Sequence, residues 1–308
     1  MLIEVSAKEF HHRFNSDPHP FLSAQFIELN KEKVDKIVRL VEDNEKVSIG
    51  LIAGIKDGVF NTSFSAPFGG FHYRNENIYI GMIEQFLEYL KLYLKNNNIQ
   101  KACLSLPPAI YQESFNAKIV NLFIRLGFIL ELPEITNWID LNNFKGQFSH
   151  RSSREHYNQA VRNNLSFKYL SDINEKRAAF DLIKQNRARF NRPIHMDLAD
   201  IINTGELWPV DFFSVTNSEG IILSSGIFYQ FPGNIAYAVF WGDNEEGRPL
   251  RAMDFLIYNL ITYYKSAGFL YIDLGISTES GMPNEGLLRF KETHEATSSL
   301  RYSFTWNA

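Results

Sequence analysis

Apolar positions recur along this chain at two spacings, and the alternation between them predicts a succession of helices and strands. Leu22, Phe26, Leu29, Val34, Ile37, Val38 and Val41 fall on one helical stripe, so helices are expected over 6–14 and 21–41. Alternation over 47–55 and 59–65, with Lys56-Asp57-Gly58 between, predicts a hairpin. A long helix follows at about 77–97, with Ile80, Ile83, Phe86, Leu87, Leu90 and Leu94 on its apolar side. Strand 99–106, helix 112–126 with Gly127 as its stop, and strands 128–132 and 136–141 complete this half.

Beyond 142 the same reading gives helix 154–163, strand 166–170 and helix 173–190, ended by Asn191-Arg192-Pro193. Strands 208–216, 220–231 and 234–241 precede a long helix over 249–266, with Pro249 suited to its first position. Strand 270–275 and a short helix over 285–292 follow. Hairpin, long helix, strand, shorter helix and closing strands thus occur twice. Phe86-Leu87-Glu88-Tyr89 falls on Phe255-Leu256-Ile257-Tyr258 without insertion, and one added residue brings Cys103 onto Asp273. The expected organisation is α/β (α+β) in two halves, 1–145 and 146–308. Because an acid stands in the second half where the first has an apolar residue, chemistry is expected in the second.

Composition adjusts this picture only in places. The 308 residues, 45% hydrophobic and 21% charged, suffice for two domain cores. A formal net charge of -4 gives no general attraction to nucleic acid, so a tRNA partner is admitted but not favoured. Cys103 is the single cysteine, in an alternating strand pattern, which excludes an internal disulfide. His11, His12 and His19 have no metal-ligand spacing, and no metal is expected. The chain has no basic-plus-apolar leader and no apolar run of spanning length, so a cytoplasmic protein without a transmembrane segment is expected.

Candidate chemistry gathers on residues 270–291. A strand there delivers Asp273 to a polar loop carrying Gly275, Ser277, Glu279 and Asn284, with Lys291 on the helix beyond. Asp273 could equally satisfy backbone donors, and Asn284 could cap the helix. Gly69-Gly70 before the first long helix suits either an anion site or a turn wedged into the core by Phe68 and Phe71. Segment 142–164, with His150, Arg151, Arg154, His156 and Arg162, reads as the junction between halves. No Ser-His or Cys-His nucleophile arrangement is present in the pattern.

The element order, together with Ser65-Ala66-Pro67-Phe68-Gly69-Gly70, Asp273-Leu274-Gly275, Asn284-Glu285-Gly286-Leu287 and Phe290-Lys291, resembles the GNAT acyltransferase superfamily in its tandem, FemAB-like form. The resemblance implies two GNAT-like halves, each a twisted mixed sheet flanked by helices and splayed to admit the acyl donor. The splay would lie between 220–231 and 270–275, or one strand earlier, depending on where 234–241 sits. The donor loop would be 242–248. The superfamily's loop order (Gln or Arg, two residues, Gly, one residue, Gly or Ala) is not reproduced in Gly247-Arg248-Pro249-Leu250-Arg251-Ala252.

The activity so implied moves an acyl group from a thioester donor, acyl-CoA, to an amine on a small molecule, amino sugar or cell-envelope precursor. Two alternatives are an aminoacyl-tRNA-dependent peptidoglycan-bridge transferase and a non-catalytic GNAT-fold binding module. The roles implied are Asp273 and Glu279 as bases, Tyr237 or Tyr229 as proton donor, and Gly247, Arg248 and Arg251 at the donor. Ser277, Asn284 and Lys291 would hold the acceptor. Arg248 and Arg251 have a second reading as surface partners of Glu245 and Glu246.

Overall fold

The structure is a computed structural model that describes all residues except 15, 44–47, 76 and 308. The first elements are β1 (Leu2–Glu4), α1 (Ala7–Arg13), α2 (Ala24–Leu29), β2 (Lys36–Glu42), β3 (Ile49–Lys56), β4 (Val59–Asn61) and β5 (Phe71–Tyr73). They are followed by α3 (Ile80–Asn96), β6 (Lys101–Ser105), α4 (Ala109–Arg125) and β7 (Ile129–Leu130). Next come β8 (Glu134–Asp140), α5 (Arg151–Arg162), β9 (Ser166–Tyr169), α6 (Ile173–Arg189), α7 (Leu198–Thr204), β10 (Val210–Thr216), β11 (Ile222–Phe231) and β12 (Ile235–Asp243). The chain ends with α8 (Ala252–Ser266), β13 (Tyr271–Ile276), β14 (Thr278–Glu279), β15 (Met282–Pro283), α9 (Glu285–Thr293), β16 (Thr297–Arg301) and β17 (Ser303–Asn307).

Most of these elements follow the sequence periodicity, and the exceptions have physical causes. The β3–β4 hairpin turns on Asp57 and Gly58, both at positive φ (50° and 74°), as a two-residue turn between right-twisted strands requires. The expected start of its first strand, Val47, lies outside the described residues. The helix expected over 21–41 is instead two short helical turns around α2 and then the strand β2, paired with β3 from Lys36 to Val41. Val38 and Leu40 face one core while Val41 packs with Ile27 and Ile52 in another, so burial on both faces erases the two-residue alternation. Helix α8 begins at Ala252, which leaves Pro249 in the turn before it.

The chain divides into two compact units: Met1–Ile135 with Thr278–Met282 and Ser299–Ala308, and Thr136–Ser277 with Pro283–Ser298. The first sheet has the order β1-β2-β3-β4-β6-β17-β7, with β5 paired to β3. The second has the order β16-β8-β13-β12-β11-β10-β9. Each sheet is therefore completed by a strand from the opposite part of the sequence, β17 in the first and β8 in the second. This differs from a division at 145/146, because periodicity fixes which face of a strand is apolar and not which sheet edge it joins.

Each core rests on its long helix. In the first unit Phe86, Leu87, Leu90 and Leu94 of α3 are fully buried among residues of β2, β3 and β6. In the second unit Leu256, Ile257, Leu260 and Ile261 of α8 are fully buried with Phe213, Phe228 and Ile272. Each such side chain contributes roughly 1.5–3 kcal/mol through its burial. These helices fix the parallel strand pairs from which the site is built.

Candidate functional site

In the second unit β12 and β13 run parallel and are in register only at Ile235–Tyr271, Ala236–Ile272 and Tyr237–Asp273. Beyond these pairs β12 continues to Asp243 and β13 to Ile276, so the sheet opens into a wedge. A bulge helps to turn β12: Phe228 pairs with Ala238 and Ile227 with Phe240, which leaves Val239 as the extra residue. The splay therefore lies between β12 and β13. It is not between 220–231 and 270–275, because strand 235–243 stands between them in the sheet.

The first unit repeats this register with β4 and β6, paired at Val59–Lys101, Phe60–Ala102 and Asn61–Cys103. Cys103 and Asp273 thus hold equivalent last positions, as the sequence overlay predicted. Here the chain fills its own wedge. Thr62 N–H donates to Cys103 O (3.1 Å), Ser105 N–H to Thr62 Oγ1 (3.3 Å) and Gly69 N–H to Ser105 O (3.0 Å). A Cβ on Gly69 would lie 2.0 Å from Thr62 O, so only glycine admits this backbone approach. Burial lowers the His19 pKa to about 3, and its Nε2 lies 2.8 Å from Gly69 O. Among the described residues the glycine pair thus serves packing.

The wedge of the second unit adjoins a cavity of about 680 Å³. Its walls are the end of α6, the loop from Asp243 to Arg251, the first turn of α8 and one face of α9. Four arginines line it (Arg187, Arg192, Arg248 and Arg251), with the rings of Phe190, Trp241 and Phe290 and the polar groups of Asp243, Asp254 and Asn284.

The loop is held by its own amides: Gly247 N–H donates to Asn244 Oδ1 (2.8 Å), Arg251 N–H to Arg248 O (3.1 Å) and Ala252 N–H to Gly247 O (2.9 Å). Gly247 itself lies against the backbone, since a Cβ there would be 2.6 Å from Leu223 O. Asn186 Nδ2 donates to the Asp243 carbonyl (2.6 Å) and carboxylate (2.9 Å), which ties α6 to the end of β12.

Side chains supply the cationic surface. Arg248 Nε lies 3.4 Å from Asp243 Oδ1, and its guanidinium sits 5.5 Å from the Phe190 ring centre. Glu245 pairs instead with Arg189 at 3.1 Å. Arg251 adopts a left-handed backbone (φ 62°, ψ 38°) at the N-cap of α8. The Nε atoms of Arg187 and Arg251 are buried without a hydrogen-bond partner among the described residues. Burial, and then the neighbouring Arg192, lower the pKa of Arg187.

At the apex of the wedge Asp273 is 1% exposed and its Oδ1 accepts the Gly275 N–H at 2.8 Å. Lys291 is equally buried, and its Nζ donates to Gly275 O and Ile276 O, both at 2.9 Å. Burial lowers the Lys291 pKa to about 7; Asp273 opposes that shift and Arg187 adds to it. Register places Tyr237 and Asp273 on the same face of the sheet, where the Tyr237 ring stacks on Phe231 at 5.2 Å. Burial pushes the hydroxyl of Tyr229 up to about 12.

In the cavity wall Asp254 Oδ1 meets both His294 Nε2 (3.0 Å) and His156 Nδ1 (3.1 Å). His294 Nδ1 lies 2.6 Å from Phe290 O, so the group links the start of α8 to the end of α9.

Of the residues singled out in the sequence, Arg248, Arg251 and Asn284 line the cavity and Gly247 braces its loop from behind. Asn284 also caps α9, accepting the Leu287 N–H at 3.1 Å. Asp273, Tyr237 and Lys291 gather at the wedge. Ser277 is buried and donates to Asn137 Oδ1, so its hydroxyl is engaged within the unit. Glu279 is exposed on β14, which belongs to the first unit, and it is not among the residues that line the cavity. The loop carrying it leaves the second unit directly after Ser277. Arg187, Phe190, Arg192 and Asp254 were not singled out as site residues. The cations around Arg187 and Arg192 at the end of α6 were a signal, overshadowed by the helix-ending Pro193.

No family model and no curated protein matches the sequence. Solved structures do match. FemX shares 14% identity at a TM-score of 0.69, over 100% of this chain and 97% of that one. The C-terminal domain of a putative lysylphosphatidylglycerol synthetase from Agrobacterium fabrum shares 14% at 0.59, over 98% and 93%. A tandem GNAT protein from the clavulanic acid biosynthesis pathway shares 9% at 0.59, over 100% and 98%. These chains share its fold from end to end.

Proposed function

We propose that this chain, which has the tandem GNAT fold of the FemAB-like type, transfers an acyl or aminoacyl group from a phosphate-bearing donor to an amine. The observation that carries this reading is the contrast between the two wedges. The first is filled by Thr62 and Gly69, whereas the second adjoins a cavity lined by four arginines. An extended acyl arm fits between strands that have parted, and guanidinium groups suit the phosphates of its carrier.

The reaction needs a neutral amine near an activated carbonyl, donors for the developing oxyanion, and a proton for the departing group. The amine nitrogen forms the new C–N bond and loses a proton, and the bond from the carbonyl carbon to the carrier's sulfur or oxygen breaks. In this reading Asp273 accepts that proton and Tyr237 protonates the departing group. Lys291 holds the Gly275–Ile276 turn beside Asp273, and Asn284 faces the acceptor, an amine on a small molecule or cell-envelope precursor. Glu279 has no part in it.

Acyl-CoA is the first donor to test. An aminoacyl-tRNA is the second reading, favoured by a specific observation: the amides of Gly247, Arg251 and Ala252 are bonded within the loop, so arginine side chains rather than a backbone cradle face the donor. The test is the melting temperature with a panel of acyl-CoA donors and with charged tRNA, followed by mass spectrometry of amine acceptors. A raised melting temperature and an acylated amine with either donor support transfer. Failure of both donors in both measurements moves the chain to a binding module.

A further inference from the structure

Arg187 stands in the last turn of α6 and lines the cavity, and its place differs from that of the loop arginines. Its guanidinium lies 6.0 Å from the centre of the Phe240 ring. Phe240 pairs with Ile227 as Tyr237 pairs with Tyr229, and residues two apart on β11 point the same way. The extra residue, Val239, therefore leaves Phe240 on the face of the sheet that carries Tyr237 and, through the register of β13, Asp273. Phe240 is roughly 10 Å along β12 from Tyr237. Arg187 thus belongs to the face of the apex, whereas Arg248 and Arg251 belong to the loop beyond the strand.

Among the described residues no anion answers this cation. Its Nε is buried without a hydrogen-bond partner there. The neighbouring charges are cations as well: Arg192 acts on Arg187, and Arg187 on Lys291. Asp273 offsets the charge of Lys291, but no carboxylate does so for Arg187 among the described residues. A guanidinium withdrawn from water without a counter-charge is costly, and a ligand that brings the anion removes that cost. The forked N–H groups match the two coplanar oxygens of a carboxylate. In the proposed reading the carrier's phosphates meet the loop, so an anion on this face belongs to one of the two groups being joined.

We propose that Arg187 selects a substrate with a carboxylate a few bonds from the reacting centre, carried by the acyl group or by the amine acceptor. This rests on the transfer reading above and names the chemical class of one of its substrates.

The test is calorimetric titration of the intact protein with two matched pairs. The first is the unreactive thioethers S-carboxypropyl and S-butyl pantetheine; the second is γ-aminobutyrate and its amide. The expected result is that the carboxylate of one pair binds about tenfold more tightly than its neutral partner, as for a charge-assisted contact. Arg187→Met should level that pair by weakening the carboxylate alone. Its melting temperature should equal or exceed that of the wild type, because a charge without an internal partner is removed. Should Arg187→Met fail to fold, Arg187→Lys keeps the charge, loses the fork and should lower the preference. A preference in the thioether pair places the carboxylate on the acyl group, and one in the amine pair places it on the acceptor. Equal affinity within both pairs, no binding of any of the four, or a preference unchanged in the variant overturns the role of Arg187 and leaves transfer to be judged by its own assay. A preference that depends on Arg187 in a protein that acylates no amine upholds the carboxylate site and removes the transfer reading.

Discussion

Tyr237 and Asp273 face one another at the last position where β12 and β13 still run in register, and beyond them the sheet opens. The equivalent pair in the first unit is Asn61 and Cys103, after which the chain closes its own gap. One topology thus yields an open wedge and a filled one. If Tyr237 protonates the departing group, Tyr237→Phe should lower kcat at least tenfold while leaving donor KM within about twofold. Steady-state kinetics on the transfer reaction checks this. An unchanged kcat would remove Tyr237 from the proposed chemistry.

Lys291 predicts a pH dependence whose sign can be worked out. Its folded pKa of about 7 lies below the ordinary value of 10.5, so between these limits the unfolded chain holds a proton that the folded chain lacks. Stability should therefore rise as pH increases from about 7 towards 10. Lys291→Met removes this group, and urea unfolding of the two proteins across that window should show the rise in the wild type alone. Parallel curves would contradict a buried amine that titrates near neutrality.

Arg251 combines a left-handed backbone with a side chain on the cavity wall. Arg251→Gly relieves the backbone and removes the guanidinium. Chemical denaturation should show a gain of up to about 1 kcal/mol. Donor titration should show affinity falling about tenfold or more, as expected on losing a charge-assisted contact. Loss of stability together with retained affinity would contradict both assignments.

The filled wedge gives a prediction for the first unit. Gly69→Ala places a methyl group 2.0 Å from Thr62 O, against backbone that cannot swing aside. Unfolding by urea should show a loss of about 3 kcal/mol or more, within the range of strain and overpacking in cores. A neutral substitution would mean that the plug is loosely packed.

How far the sequence reached can be judged from particular residues. Periodicity identified both long helices, the β3–β4 turn at Asp57-Gly58 and the overlay of Cys103 on Asp273, because each depends on local spacing or on repeat order. It read β2 as helix, since Val38 and Val41 are buried on opposite faces. It could not show that β8 and β17 complete sheets built mainly from the other part of the chain, because strand exchange is decided at sheet edges. Of the cavity lining, Arg248, Arg251 and Asn284 were singled out from a loop and a cap next to helix starts. Phe190 and Arg187 escaped because only folding brings the end of α6 to the loop after β12. Asp254 escaped because its partners, His156 and His294, are far from it in sequence.

In the proposed function the open wedge of the second unit, and not the filled one of the first, receives the donor. Hydrogen exchange with and without bound donor tests it most directly. Slowed exchange is expected along 238–252 and 273–276, with 61–70 and 101–105 unchanged. Protection confined to 61–70 and 101–105, with β12, its following loop and β13 unaffected, would contradict it.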